Sequence, residues 1–452
     1  MWKMITKAQS FFYSVYRSSS STTHFIFRRI TPLGVLFLLL MPVVLIVFVT
    51  YYTLTTLYLF SFLCGVFLFS VVSVFFKLAR VRVERELPEV ALVGEDFTYI
   101  VRCRNLGLKK LSAALLHDLP IDSRPTREEF VHSREPQEEL RNGFDRLFAY
   151  YRWLWLCKKK TKFESEEVSL PVIAGEQEET LVLKCKPMRR GRLEFGNAWL
   201  YLPEPLYLLQ KCVRVESSED SILVLPKRYK LPELMLDGGA RDHLGGLSQS
   251  FMAGVSDDFR GLRAYRPGDA PKHIDWASWA RTGKPVVREY ENVFFPRYAL
   301  VLDTNGEFES LDCFEEAISV AASFARVVDS QECLLDLIFL NKGLQTLTVG
   351  KGVAKSGDLL EHLATLELEF LPDWASLSQQ VLKHASSFSM CIVIFTKLSA
   401  ERERLVEGWR RAGLSLMILV IVDDEDMKQR VIELGAVPIR VNEVQRDLLN
   451  ML

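Results

Sequence analysis

Between Ile30 and Phe76 the chain has no Asp, Glu, Lys or Arg. A helix that crosses a bilayer needs roughly 20 apolar residues. So long an uncharged run is too much for one span and fits two, near Leu33–Tyr51 and Leu54–Phe76, with a turn at Tyr52–Thr53. The same absence excludes an ion or proton path built on ionisable groups inside these helices. Acid is also missing from residues 1–29, where Lys3, Lys7, Arg17, Arg28 and Arg29 stand without a counter-charge, and Lys77, Arg80 and Arg82 follow the run. Basic flanks on both sides predict a multi-pass hairpin in the cell inner membrane, with the N-terminus and the large C-terminal domains cytoplasmic. A cleaved signal peptide is disfavoured, because the run far exceeds a signal's apolar region.

Other absences narrow the chemistry. The eight cysteines form no C-x-x-C and no Cys/His spacing suited to zinc, which reads as reduced thiols rather than a disulfide framework. A net charge of −1 excludes a global basic field for nucleic acid. The glycines at 238, 239, 245, 246 and 254 lack the G-x-x-x-x-G-K-[ST] order, as does "GKGVAKSG" at Gly350–Gly357, so a phosphate loop is not expected. His243 follows Asp242, but no serine elbow or H-E-x-x-H accompanies it.

What is present divides the chain into a basic cytoplasmic tail (1–29), two transmembrane helices (30–77), a strand-rich region (78–225), a connecting segment (226–296) and an α/β region (297–452). "FTYIVRCRN" at Phe97–Asn105 alternates with period two; Thr180–Lys186 and Leu193–Tyr201 repeat the theme about a turn at Arg190-Gly191. An antiparallel β-sandwich is expected there. An aromatic and basic insertion at 121–165 interrupts it. Phe144, Leu147, Phe148, Tyr151 and Trp155 share one helical face, followed by Lys158–Lys160. Such a helix suits a membrane lipid surface. Packing on the sandwich is the preferred expectation, since an apolar face more often meets a core.

From Arg297 onward, near-continuous apolar strands alternate with helices: Arg297–Gly306 ending in Asp303, a helix at Cys313–Val328, strands at Cys333–Leu340, Thr346–Gly350, Met390–Thr396 and Leu414–Val422, and helices at Asp358–Leu366, Ser376–His384 and Ala400–Ala412. This pattern predicts a doubly wound, mostly parallel sheet with ligands at the carboxyl ends of its strands.

The stretch "RPGDAPKHIDWASWARTG" (Arg266–Gly283) gathers Asp269, His273 and Asp275 beside two tryptophans. Pro267-Gly268 reads as a turn, Asp269 as the N-cap of a helix from Ala270 to about Arg281, and Gly283 as its stop. His273 and Asp275 fall on different faces, so they do not make a ligand pair. Asp275 is placed to pair with Lys272 or an arginine, Arg263 and Arg266 to pair with the acids, and Trp276 and Trp279 to anchor the helix on a neighbour. A structural clamp formed by Arg263, Tyr265, Gly268, Asp269, Asp275, Trp276, Arg281 and Arg288 is therefore preferred over a metal-dependent hydrolase using Asp257, Asp258, Asp269, His273 and Asp275.

Here the chain resembles a known family. Phe259, Leu262, Arg263, Tyr265, Gly268, Asp269, Ile274, Asp275, Trp276, Ala280, Arg281, Val287, Arg288 and Glu289 meet the pattern of the bacterial domain-of-unknown-function family fifty-eight. The resemblance implies membrane-anchored proteins with a von Willebrand factor A-like domain, paired with AAA+ ATPases of the MoxR class in assembling or activating other complexes. It is read as extending over nearly the whole chain. Asp303, Asn305 and Glu307 are similar to a degenerate form of that domain's metal-adhesion motif, with the later threonine position near Ala375–Ser376 and Lys397 competing with a cation. The resemblance implies a metal-free site ahead of one holding Mg2+. The expected role is a non-enzymatic scaffold binding protein partners; an envelope binding module would need the large domains outside the membrane.

Overall fold

A computed structural model describes residues 2–120, 124–133, 135, 138, 141–232, 259–290, 296–305, 311–330, 333–341, 343–350, 353–368, 373–422 and 425–451. The glycines at 238–254, Asp242, His243, Asp257, Asp258 and Glu307 lie outside them. The chain divides into two compact units, one of Met1–Arg228 with Gly306–Glu315 and Leu360–Glu367, the other of Tyr229–Asn305, Glu316–Leu359 and Leu368–Leu452.

The first unit starts with a helix where only a basic tail was expected: α1 (Trp2–Phe27). The uncharged run folds into α2 (Pro32–Tyr51) and α3 (Leu54–Phe76), both long and apolar enough to cross a membrane. Thr31 caps α2 by accepting from Gly34 N at 3.1 Å, and Pro32 opens it, where a missing N–H costs nothing. The turn is closed by Tyr52 in the left-handed region and Thr53 at the cap of α3. Leu36, Ile46, Phe62 and Phe75 are exposed on these helices, an arrangement suited to lipid rather than water as solvent. Membrane anchoring is what the pair supports.

The hairpin is tied to strands of its own unit. Thr31 N donates to Leu208 O at 3.1 Å, and Gln210 N to Arg29 O at 2.8 Å. Ser70 Oγ, on α3, donates to Glu204 Oε1 at 2.7 Å. Burial pushes the Glu204 carboxyl up, but the N–H groups of Leu206, Leu208 and Leu209 and the Ser70 hydroxyl outweigh it and hold the group below the ordinary range.

Twelve strands follow: β1 (Val81–Glu86), β2 (Val90–Leu92), β3 (Phe97–Asn105), β4 (Ala114–Leu119), β5 (Phe163–Ser165), β6 (Val168–Leu170), β7 (Glu178–Pro187), β8 (Gly191–Phe195), β9 (Asn197–Pro203), β10 (Gln210–Arg214), β11 (Glu216–Ser217) and β12 (Asp220–Leu225). They form three sheets, in the orders β11-β1-β3-β7-β5, β10-β9-β4-β6 and β2-β12-β8. β1 and β3 alternate buried and exposed residues, so one face feeds a core containing Val83, Tyr99, Phe163 and Phe195. The expected two-sheet antiparallel sandwich is met only in its strand-rich character, because β1–β11 and β2–β12 pair in parallel. Inside the core, Arg85 is bidentate on Asp118 at 2.9 and 2.7 Å, and Tyr99 Oη donates to the same carboxylate at 2.7 Å. Burial, then the Asp118 charge, drives the Tyr99 phenol upward.

The described residues of the insertion include three short helices, α4 (Arg127–His132), α5 (Gly143–Phe148) and α6 (Tyr150–Lys160), the last two separated at Ala149 in the left-handed region, and end in β5. The insertion's orientation departs from the expectation at four of the five residues of the expected face; Trp155 alone of them is half-buried against the cluster around Trp153. Trp153 and Leu156 are the buried apolar residues of α6, packed with Phe130 and with Tyr13 of α1. Phe144, Leu147, Phe148 and Tyr151, expected to pack inward, are exposed. The missed partner is α1, whose aromatics take the opposite face of α6.

The second unit contains the ribbon β13 (Phe259–Ala264) and β14 (Val286–Tyr290), with α7 (Trp276–Thr282) between them. A mixed six-stranded sheet follows: β15 (Arg297–Leu302), β16 (Leu334–Leu340), β17 (Leu344–Gly350), β18 (Met390–Phe395), β19 (Leu416–Val422) and β20 (Val437–Arg440), in the order β17-β16-β15-β18-β19-β20. β17 is the antiparallel edge and the other pairings are parallel. β15 and β18 are buried along nearly their whole length, as strands covered on both faces must be. The helices of this part of the chain are α8 (Leu311–Ser323), α9 (Ala325–Ser330), α10 (Ser356–Thr365), α11 (Trp374–Lys383), α12 (Ala400–Arg411), α13 (Glu425–Glu433) and α14 (Val444–Leu449). The helix expected at 313–328 is interrupted at Phe324.

Candidate functional site

The connecting hairpin builds its own geometry from two carboxylates. β13 and β14 pair antiparallel, and Tyr265 N closes on Pro285 O at 3.0 Å. Arg266–Asp269 is a turn with Asp269 N on Arg266 O at 3.1 Å and Gly268 at φ +108, a value glycine adopts without strain. Asp269 is not a helix cap. Its carboxylate accepts from Arg263 at 2.8 and 2.7 Å and from Arg266 N at 2.8 Å, so it holds the turn onto the strand. The Arg263 guanidinium and the Arg266 amide lower its pKa to about 2.

The cap belongs to Asp275. The chain makes a 3-10 turn at Pro271–His273 and bridges back to β14 at Ile274, so α7 starts only at Trp276. Asp275 Oδ1 accepts from Ser278 N at 2.9 Å and Oδ2 from Arg288 Nε at 2.8 Å. Those two contacts, the amide first, lower its pKa. Gly283 at φ +67 ends the helix as expected.

Asp269 and Asp275 are therefore both engaged by guanidinium groups, and of the two partners expected for Asp275, Lys272 or an arginine, it is the arginine, Arg288, that pairs with it. Trp276 and Trp279 stack on each other at 5.3 Å, and Trp276 is 64% exposed, so it does not anchor the helix on a core. Arg281 is exposed. From Gly261 to Arg288 the buried residues are Ser278 and Val287. The segment is surface.

Asp303, at the carboxyl end of β15, is the second place of interest and is 1% exposed. Its Oδ1 accepts from Asn305 N at 2.9 Å. Its Oδ2 accepts from Thr396 N and Oγ1 at 3.3 and 3.1 Å and from Arg402 Nε at 2.8 Å. Arg402 also donates to Asn305 O at 3.3 Å, and its guanidinium lies 5.1 Å from the Trp374 ring. Burial pushes the Asp303 carboxyl up, against the guanidinium and the amides, which pull it down.

A magnesium site does not fit this donor set. Mg2+ needs open oxygen ligands in octahedral array, and here a fixed cation of the protein already shares the carboxylate. Among the described residues no group of three or more His, Cys, Asp or Glu is arranged to hold a metal. Asn305 contributes its backbone. Asp373 caps α11, accepting from Ser376 N at 3.1 Å and from the Ser376 hydroxyl, and Lys397 is exposed. The competing cation is Arg402, which sequence reading missed because it sits one turn into α12, nearly a hundred residues from Asp303. Beside it, a groove of about 710 Å3 runs between α11 and α12, lined by Trp374, Ser378, Leu382, Lys383 and Leu405 among others.

Residues 261–441 match the family model described as Protein of unknown function DUF58. The resemblance to DUF58 is borne out. It covers the hairpin from β13 onward and most of the six-stranded region, not nearly the whole chain. The chain is also 25% identical over 185 residues to "Uncharacterized protein YeaD" of Bacillus subtilis (strain 168), covering 41% of this chain and 45% of that protein. It thus spans less than half the length of that curated relative. Among solved structures, the CARDB domain of a Pyrococcus furiosus protein is 12% identical with a TM-score of 0.17, covering 33% of this chain and 96% of that one. Proximal thread matrix protein 1 from the mussel byssus is 12% identical with a TM-score of 0.25, covering 34% and 46%. Scores this low carry no argument.

Proposed function

We propose that this DUF58 protein is a non-enzymatic, membrane-anchored adaptor. Its six-stranded region is a von Willebrand factor A-like domain, and it receives a protein partner at the carboxyl ends of the strands and at the exposed hairpin. An AAA+ ATPase of the MoxR class is the working partner, and assembly or activation of another complex is the outcome. The basic flanks of α2 and α3 support an inner-membrane location with the large domains cytoplasmic.

The observation that carries this reading is Arg402 on Asp303. A strand-end carboxylate with its own internal cation suits a metal-independent protein contact better than metal chemistry. The engagement of Asp269 and Asp275 by Arg263 and Arg288 supports it, since both acids are held ionised and oriented away from proton transfer. A hydrolase on the Asp/His cluster has no such support.

Extraction of the full-length protein from its native membrane, with and without ATP, tests the partner. A MoxR-class ATPase should co-purify with the wild type and be lost from Trp276→Ala. Its absence from the wild type under both conditions would sink the adaptor reading. A reporter fused after Leu452 checks the topology: activity confined to the outer side would overturn it.

A further inference from the structure

The insertion presents apolar side chains that α1 and Arg141 cover only in part, through Phe12 on Phe148, Tyr16 on Tyr150 and Arg141 on Tyr151. Phe144 is 76% exposed, and Phe148, Tyr150, Tyr151 and Leu154 are exposed beside it. Six such side chains in water, with Phe11 of α1 added, is more than scattered surface hydrophobicity explains. The face is held rigidly. Tyr13 packs on Trp153 at 5.9 Å and donates to Pro125 O at 3.2 Å, Phe12 meets Phe148 at 4.7 Å, and Tyr16 Oη donates to Phe148 O at 3.0 Å.

Chain continuity says what covers it. α1, which packs on α5 and α6 and adds Phe11, ends at Phe27, and α2 begins at Pro32, so four residues separate the helix that supports this face from an apolar span. Those four residues are fixed: Gln210 Nε2 donates to Arg28 O at 2.9 Å and Gln210 N to Arg29 O at 2.8 Å. Charge agrees. Residues 1–29 contain five cations and no acid. Within Phe144–Lys160, Arg146, Arg152, Lys158, Lys159 and Lys160 stand against a single Asp145 in sequence; Arg152, Lys159 and Lys160 are paired to Glu138, Asp312 and Glu129, which leaves Arg146 and Lys158 as the cations the lipid argument uses. Aromatic side chains backed by cations are the composition of an interfacial helix on anionic lipid.

We propose that the aromatic face of α1, α5 and α6 is seated in the headgroup region of the bilayer that α2 enters, on anionic phospholipid, as a third membrane contact beside the hairpin. The proposal rests on α2 and α3 being spans, so the test reports on both separately. Full-length protein is prepared with p-benzoylphenylalanine in place of Leu36, Phe144, Tyr151 or Glu407, placed in nanodiscs of phosphatidylglycerol and phosphatidylcholine, irradiated and analysed for adducts. Lipid adducts are expected at 36, 144 and 151, with 144 and 151 about tenfold above the helix-surface control at 407 and severalfold lower in phosphatidylcholine alone. Adducts at 36 with 144 and 151 at the level of 407 would overturn the proposal and leave the spans intact. Protein-to-protein crosslinks in place of lipid at 144 and 151 would overturn it in favour of an interface between copies. No lipid at 36 would remove the spans and the proposal together.

Discussion

Arg402 Nε lies 2.8 Å from Asp303 Oδ2, and both side chains are buried at the end of the central strand β15. The ion pair thus occupies the place where a fold of this type would expose a ligand site. Removing one partner of a buried pair leaves an uncompensated charge and costs about 3–5 kcal/mol. Arg402→Ala should lower the unfolding free energy of the solubilised protein by that much, read as a lower midpoint in denaturant, while millimolar Mg2+ should leave the wild-type midpoint where it is. A magnesium-dependent rise in the wild type would contradict the assignment of Arg402 as the site's cation.

Asp269 has a pKa lowered to about 2, with the Arg263 guanidinium as the first cause and the Arg266 amide the second. A carboxyl depressed in the folded state contributes stability above its unfolded pKa, near 3.8, and loses it as pH falls through about 2. Carboxyl NMR of aspartate-labelled protein should find this group titrating near that value in the wild type and closer to its ordinary value in Arg263→Ala. Equal midpoints in the two proteins would show that Arg263 does not hold the turn.

Gly34 and Gly65 make a paired test of the membrane hairpin. A Cβ at Gly34 would stand 2.0 Å from Leu208 O, a backbone atom that cannot step aside, whereas nothing lies within 4 Å at Gly65. Gly34→Ala should cost about 1–3 kcal/mol, whereas Gly65→Ala should be neutral or stabilising by up to about 1 kcal/mol. Thermal unfolding of both variants in one detergent reads the difference, and equal midpoints would refute the close approach.

Asp118 accepts from Arg85 and Tyr99 within the β-rich core. Asp118→Ala removes the bidentate partner of the fully buried Arg85 guanidinium and leaves it Ser218 O and, at 3.7 Å, Asp220. A loss of about 3–5 kcal/mol is expected, against a smaller loss of about 1 kcal/mol for Tyr99→Phe, which removes one hydrogen bond and keeps the ring. Denaturant titration separates the two.

Much of this was legible in the sequence because the signals were long. The uncharged run gave α2 and α3 to within one residue, and the period-two alternation of Phe97–Asn105 is β3. Short and non-local signals failed. Asp269 looked like a cap because Pro271 follows it in the usual place, yet the bridge of Ile274 to Val287 interrupts the helix and passes the cap to Asp275. The face of α6 was read inward because α1, a helix without one acidic residue, was not anticipated as its partner. Arg402 was invisible for a simpler reason: no local pattern marks which arginine will cross from α12 to Asp303.

The loop from Glu204 to Lys211 grips the hairpin at both ends. Leu208 O and Gln210 hold the start of α2, Glu204 holds Ser70 near the end of α3, and Lys211 Nζ reaches Lys77 O at 2.6 Å just beyond it. With both legs clamped by one loop, the hairpin has no free swivel. α2 and α3 are thus joined to the β9–β10 edge by hydrogen bonds from both legs and not by the chain alone, so the anchor and that edge share one frame.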